Sequence, residues 1–407
     1  MRYRDTSGLD DISRDVAVVV DFIGQDEYRR SLEAIGHALN SKGFVTPFDD
    51  VFFALELELL NLERLRAHCS GNFQLLPGSC HAGMDLLIGL GQTIPTLSAK
   101  GKTRLLGRIK KGLEEGLWPL QHEMRIAANL SRRGWDIYFH DFEEGGGYDF
   151  LITKDGVTYE VEAKAMSAFT GWPIKPENLN KLLVEVKQHF AWKECGIPVI
   201  GATLSSSLSP DRTELQRLVS AFNMVAQTRE GLSLSDAEVR FIGVVPDLTL
   251  DKLMKASYRH SQLAKRIVLV NPTHPKLVLE LHSNRPVLLR RKIVQTISET
   301  TRKQFSRSNP GVIWTHINFI PDDVFLSLGA QQDGRTCLLD SIANATLVSE
   351  KRNHLSQLVF SGGSFLNRTD STARSSYRAI AYDSPACRFG KNVIFEGGRK
   401  YPQNKVA

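Results

Sequence analysis

A chain of 407 residues, 42% hydrophobic and 24% charged, has the composition of a globular protein of two or three domains and excludes a disordered or fibrous one. No apolar run approaches the ~20 residues that a membrane helix needs, because Asp21, Glu56 and Glu58 interrupt the longest, 16–23 and 51–60. Five cysteines, odd in number and far apart, are poor material for a disulfide framework, and a net charge of +6 permits a polyanionic partner without requiring one.

The opening run Met1-Arg2-Tyr3-Arg4-Asp5 is charged, with no secretory apolar core before Asp21, so a cytoplasmic protein is expected. Residues 1–118 read as a mostly helical domain, with helical periodicity over 26–41 and a second helix, rich in Leu and Glu, over 49–68. Residues 70–97 are mixed and broken by Pro77 and Pro95. His68-Cys69 and Cys80-His81 offer zinc-type ligands, but zinc sites use closer cysteine pairs, and buried thiols are the simpler reading.

Lys100, Lys102, Arg104, Arg108, Lys110 and Lys111 follow with no acid among them. They read either as a phosphate-neutralising surface or as a solvated helix face. Arg285, Arg290, Arg291 and Lys292, then Arg302, Lys303 and Arg307, form a second cluster of the same kind. Gly101-Lys102-Thr103 is no phosphate-binding loop, since Thr96 stands where its first glycine belongs.

From Pro119 the pattern becomes mixed α/β. A helix over 119–133 starts with proline and stops at Gly134, and 135–142 reads as a strand. On that helix Leu120, Met124, Ala127, Ala128 and Leu130 form one apolar arc, with Gln121, His122, Arg125, Asn129 and Arg132 outside it. Glu123 falls inside the arc, where a carboxylate needs a metal or a buried salt bridge.

A glycine-rich loop, 143–147, leads into a hairpin over 148–164 whose turn is Asp155-Gly156. Strand side chains alternate faces. Tyr148, Phe150, Ile152, Val157, Tyr159, Val161 and Ala163 therefore make a core face, and Asp149, Leu151, Thr153, Thr158, Glu160, Glu162 and Lys164 share the other. A two-residue turn sets Asp149 opposite Glu162, with Cβ atoms about 5 Å apart. A four-residue turn sets it opposite Glu160 instead. Either way the acids share a face, and their mutual repulsion calls for a counter-charge that Lys164 supplies in part. Few carboxylates with room for water suit Mg²⁺. A solvated edge hairpin is the plainer alternative.

Beyond the hairpin, helices are expected over 176–195, 213–227 and 290–305, and strands over 198–204, 239–245, 266–270, 277–281 and 312–320. Residues 362–407 should hold short strands and loops, with a loose tail from Gly397. Trp172 and Trp192 flank the first of these helices and read as core rather than as base-stacking platforms. Ser205-Ser206-Ser207 lacks a nucleophile-elbow pattern.

The order Glu123, then Gly147-Tyr148-Asp149, then Glu162-Ala163-Lys164, over residues 119–204, resembles the PD-(D/E)xK nuclease superfamily. Tyrosine replaces the proline before Asp149, and Glu160 is an extra acid that a register slip would substitute for Glu162. The resemblance implies an α/β protein with a restriction-endonuclease-like mixed sheet flanked by helices, spanning 119–361 with its elaborations, after a mostly helical domain 1–118 and before an irregular segment 362–407. It implies a Mg²⁺-dependent phosphodiesterase acting on nucleic acid, most readily DNA, with Mn²⁺ able to substitute. Asp149 and Glu162, with the Ala163 carbonyl, would hold the metal, Glu123 would contribute directly or through water, and Lys164 would orient or help deprotonate the attacking water and contact the phosphate. Lys181, Lys187 and Gln188 would contact phosphate or support the site, and a solvated helix face explains them equally well. Cutting both strands of a duplex would suggest a dimer, although no interface is legible. The alternatives are a silent nuclease-like fold that binds nucleic acid or a partner protein, and an RNA-cleaving relative.

Overall fold

The computed structural model describes residues 9–30, 33, 82–115, 117–167, 170, 173–246, 266–271, 276–285, 288–318, 322–329, 337–363, 378–390 and 394. The helix expected over 49–68, the His68-Cys69 and Cys80-His81 pairs, Trp172 and the tail from Gly397 lie outside them. The chain forms two compact units. One takes the described residues of Met1–Leu32, Val51–Ala168 and Arg290–Ala407, the other those of Glu33–Asp50 and Phe169–Leu289.

In chain order the first unit contains helices α1 (Leu9–Ile23), α2 (Ala82–Thr93), α3 (Ala99–Glu115) and α4 (Trp118–Arg132), then strand β1 (Asp136–Tyr138), the one-turn helix α5 (His140–Glu143), and strands β2 (Phe150–Lys154) and β3 (Val157–Ser167). The second unit follows with α6 (Pro176–His189), β4 (Ile197–Leu204), α7 (Arg212–Thr228), β5 (Leu232–Ser233), β6 (Ala237–Val245), β7 (Arg266–Asn271) and β8 (Leu277–Ser283). The chain then returns to the first unit through α8 (Leu289–Lys303), β9 (Gly311–Asn318), α9 (Asp322–Leu328), α10 (Leu338–Leu347), β10 (Leu355–Gly363) and β11 (Arg378–Asp383). Each unit has its own mixed sheet, so the class is α/β. No helix among the described residues is long and apolar enough to cross a membrane.

The first sheet runs β1-β2-β3-β9-β10-β11, parallel at β3/β9 and β9/β10 and antiparallel elsewhere. Its hairpin closes through a two-residue turn, with Lys154 paired to Val157. Asp155 and Gly156 both adopt positive φ (51° and 79°), the backbone such a turn requires. β9 is buried at every residue, as a central strand with parallel neighbours on both sides must be.

The core face of the hairpin packs on α4. Phe150, Ile152, Tyr159, Val161 and Ala163 join Leu120, Met124, Ala127 and Leu130 in one cluster that continues into Val19 of α1, Leu87 of α2 and Leu105 of α3. Residues 9–30 and 82–118, where they are described, fall in the same compact unit as the hairpin. The close crossing of α1 and α2 is possible because Gly91 has no Cβ, which would stand 2.5 Å from the Asp15 carbonyl oxygen. With the sheet on one side and α2 on the other, α4 buries more of its circumference than the apolar arc predicts, and Gln121 and His122 are inside.

Two further expectations are corrected. The strand expected over 135–142 ends at Tyr138, because Phe139 and Phe142, stacked with ring centroids 5.5 Å apart, both turn inward across the short helix α5. The helix and strand after the hairpin, α6 and β4, do not extend its sheet. β4 sits at the centre of the second sheet, ordered β5-β6-β4-β8-β7, and the strand beside β3 is β9. A parallel neighbour needs a crossover connection, and here that connection carries Phe169–Leu289 of the second unit as well as α8.

Candidate active site

The hairpin's register, extended one step beyond Phe150↔Val161, sets Asp149 opposite Glu162. Asp149 Oδ2 accepts a hydrogen bond from the Ala163 backbone N–H at 2.7 Å, and the Asp149 carbonyl accepts one from Asp141 N–H at 3.2 Å. Glu162 is only 2% exposed. Lys164 pairs with Glu162 Oε1, while Glu162 Oε2 is buried with no hydrogen-bond partner. An orphaned carboxylate oxygen is the costliest kind of buried polar atom, and this one stands beside Asp149.

Glu123 is buried, as its place on the apolar arc predicts, and it has found the salt-bridge partner. Arg108 of α3 donates from Nη1 to Glu123 Oε2 (2.9 Å) and from Nη2 to Oε1 (2.5 Å). The same Nη1 reaches Asp141 Oδ2 at 3.2 Å. Glu123 thus spends both oxygens on Arg108 and is no direct ligand as it stands. Asp141 Oδ1 accepts from Gly146 N–H (3.0 Å), tying down a loop whose Gly145, Gly146 and Gly147 all have φ near +83°. A Cβ on Gly145 would also meet Arg104 Nη2 at 2.4 Å, and Arg104 donates to the Phe142 carbonyl (3.1 Å). Nothing local in the sequence marks Arg108 and Asp141 as members of this site. Arg108 was visible only as one of six basic residues, and Asp141 was hidden in a strand read as too long.

The charges act on one another. Burial raises the pKa of Asp149 well above the usual carboxylate value, with help from Glu162 and Glu123 and against Lys164 and the Ala163 N–H. Burial likewise pushes Glu162 up to about 7, although Lys164 pulls it down. Burial opposes the charge on Lys164, but Glu162 and Asp149 outweigh it and raise its pKa. Were all of them ionised, four carboxylates (Glu123, Asp141, Asp149, Glu162) would face two cations (Arg108, Lys164), an excess of two negative charges that protons on Asp149 and Glu162, or one divalent ion, would offset.

Glu160, the other candidate ligand, is committed elsewhere. It is fully buried and accepts from Ser306 N–H (2.8 Å), the Ser306 hydroxyl and Asn309 Nδ2 (3.3 Å), holding the loop between α8 and β9. Lys181, Lys187 and Gln188 lie on α6 in the second unit, and the hairpin lies in the first. The buried polar residue of α6 is Glu185, which accepts from Arg212 (2.8 Å) and Gln216 (2.9 Å). Trp192 stacks on Phe241 with centroids 6.3 Å apart, as a packing residue does.

Among the described residues, no three His, Cys, Asp or Glu side chains are arranged to hold a metal by themselves. Mg²⁺ does not ask for three. It binds through one or two carboxylates and keeps several waters. Asp149 and Glu162, with the Ala163 carbonyl, fit that requirement by the unpartnered Glu162 Oε2 and by the surplus of negative charge.

Fold and site together define a mixed α/β protein with a buried cluster of acids and bases on a β-hairpin and the helices beside it. No known protein family matches the chain, and no curated protein or solved structure matches it either.

Proposed function

We propose that this protein is a metal-dependent nuclease that hydrolyses phosphodiester bonds, of DNA first, on a restriction-endonuclease-like core. The observation that carries the reading is the buried, partnerless Oε2 of Glu162, the residue across the hairpin from Asp149, in a cluster where four carboxylates meet two cations. The chain order supports it. With the second unit taken as an insertion, α4, β1, β2, β3, α8 and β9 follow the helix, strand, strand, strand, helix, strand order of that fold, with β9 parallel to β3.

Asp149 and Glu162 would hold Mg²⁺, or Mn²⁺ in its place. The chemistry such an ion would supply there is activation of a water and stabilisation of the charge that develops on the phosphate. Lys164, fixed by Glu162, orients the attacking water and offers a positive charge to the phosphate. Asp149 is held in place by the Ala163 N–H, so its carboxylate needs little reorganisation. Water adds to phosphorus as the bond to the leaving oxygen breaks.

The bidentate Arg108–Glu123 pair favours a second reading, a nuclease-like fold that binds nucleic acid without cutting it. Cleavage assays on DNA and RNA at matched salt, with Mg²⁺, separate these readings. Wild type should cut, and Asp149→Ala and Lys164→Ala should not. Equal cleavage by all three proteins would end the assignment. Duplex binding without any divalent-ion binding by calorimetry would establish the second reading, and cleavage of RNA alone the RNA-cleaving one.

A further inference from the structure

Arg108 differs from the other members of the cluster. It comes from α3, one helix before the one that carries Glu123, and its side chain is 33% exposed while that of Glu123 is 6% exposed. A buried carboxylate is therefore neutralised by a cation that keeps one side in solvent. The guanidinium lies 5.5 Å from the centre of the Phe142 ring, so its stem is guided without being enclosed. Burial opposes its charge, but Glu123, Asp149 and Asp141 outweigh this and hold its pKa above the ordinary arginine value. Asp149, and Glu123 once released, are thus carboxylates that stabilise Arg108 and that a divalent ion would also draw on. Asp141 does not depend on it, because its other oxygen is anchored by Gly146 N–H.

We propose that Arg108 is an exchangeable counter-ion of this site: it neutralises Glu123 and Asp141 while no metal is bound, and turns its fork to a substrate phosphate once a divalent cation has taken over that charge. The inference rests on the metal-dependent reading above. Two like charges served by one set of carboxylates repel each other. A planar guanidinium suits a phosphate as well as it suits a carboxylate. Glu123 is released in the exchange and becomes available to the metal, directly or through water.

The test measures Mn²⁺ affinity by calorimetry for wild type, Arg108→Met and Arg108→Lys, with thermal melting to check that each is folded. Arg108→Met keeps an unbranched apolar stem and removes the competing charge, so Mn²⁺ should bind about tenfold more tightly or better. Arg108→Lys keeps a charge but cannot span both oxygens of Glu123, so its affinity should fall between the two. It also serves if the methionine variant does not fold. Anisotropy of a labelled DNA duplex gives the second readout. Arg108→Met should lose more duplex affinity with Ca²⁺ present than without a divalent ion. Unchanged or weaker Mn²⁺ binding in both variants, or an equal loss of duplex affinity in the two buffers, overturns the exchange alone. No Mn²⁺ binding by wild type overturns the exchange and the metal-dependent reading together.

Discussion

Asp149 Oδ2 accepts the Ala163 backbone N–H at 2.7 Å, so the carboxylate that faces Glu162 is fixed by the strand that carries Glu162. Asp149→Asn separates the two roles. An amide oxygen still accepts from Ala163, but the charge, which burial and Glu162 make unfavourable, is gone. The variant should melt no lower than wild type, while divalent-ion affinity and cleavage each fall about 100-fold or more. Scanning fluorimetry and calorimetry check both halves. A lower melting temperature with cleavage intact would make Asp149 a structural residue.

Glu160 and Glu162, two residues apart on one face, should respond in opposite ways. Glu160 is fully satisfied by Ser306 and Asn309, and Glu160→Ala leaves those donors unpaired at a cost of about 1–3 kcal/mol. Its divalent-ion affinity should not change. Glu162→Gln removes a charge that burial disfavours, so stability should hold while the ion is lost. Urea unfolding beside calorimetry resolves the pair. The reverse pattern would move the site to Glu160.

The hairpin was legible because everything that specifies it is local: Asp155-Gly156 sets the turn, and alternation sets the faces. That Glu123 needs a partner was legible too, from its place on an apolar arc. Which partner was not, because Arg108 lies on the preceding helix and reaches Glu123 only after α3 and α4 have packed. Nor was β9 legible as the neighbour of β3. Residues 176–204 satisfy the expected helix-then-strand order locally, yet they close into another sheet, and no periodicity records which of two chemically similar strands lies beside β3.

The basic run of α3 divides by face. Leu105 and Ile109 are buried, Arg104 and Arg108 turn toward the Phe142 carbonyl and Glu123, and Lys100 and Lys110 are exposed. If the exposed lysines track a nucleic-acid backbone into the site, Lys100→Gln with Lys110→Gln should flatten the salt dependence of duplex binding. The slope of log K against log salt should fall by about 0.9 for each phosphate that is no longer neutralised. Lys181→Gln, on α6, is the comparison, since the sequence nominated that helix for the same role. A flatter slope for Lys181→Gln and an unchanged one for the α3 pair would move the nucleic-acid surface to the second unit.

The last prediction concerns stability. His122 and His316 stack inside the first unit, with centroids 4.9 Å apart and 23° between the rings. His122 Nε2 meets the Trp314 carbonyl at 3.3 Å, and His316 Nδ1 meets Ser361 Oγ at 3.0 Å, which also accepts from Trp314 Nε1 at 2.9 Å. Burial lowers His122 to about 3 and holds His316 well below its ordinary value, with Arg125 acting in the same direction on both. Unfolded, each ring takes its proton near pH 6.5. Below that pH the unfolded chain binds protons that the folded chain refuses, so stability falls as pH falls, by up to about 1.4 kcal/mol per pH unit for each ring. Asp149 and Glu162 act with the opposite sign: their folded pKa values are raised, so their contribution declines as pH rises, through about 7 for Glu162. Comparing wild type with His122→Phe cancels that opposing contribution. Wild type should lose more stability than the variant between pH 7.5 and 5, measured by urea unfolding at each pH. An equal loss in the two proteins would show that His122 takes up its proton as readily in the folded state as in the unfolded one.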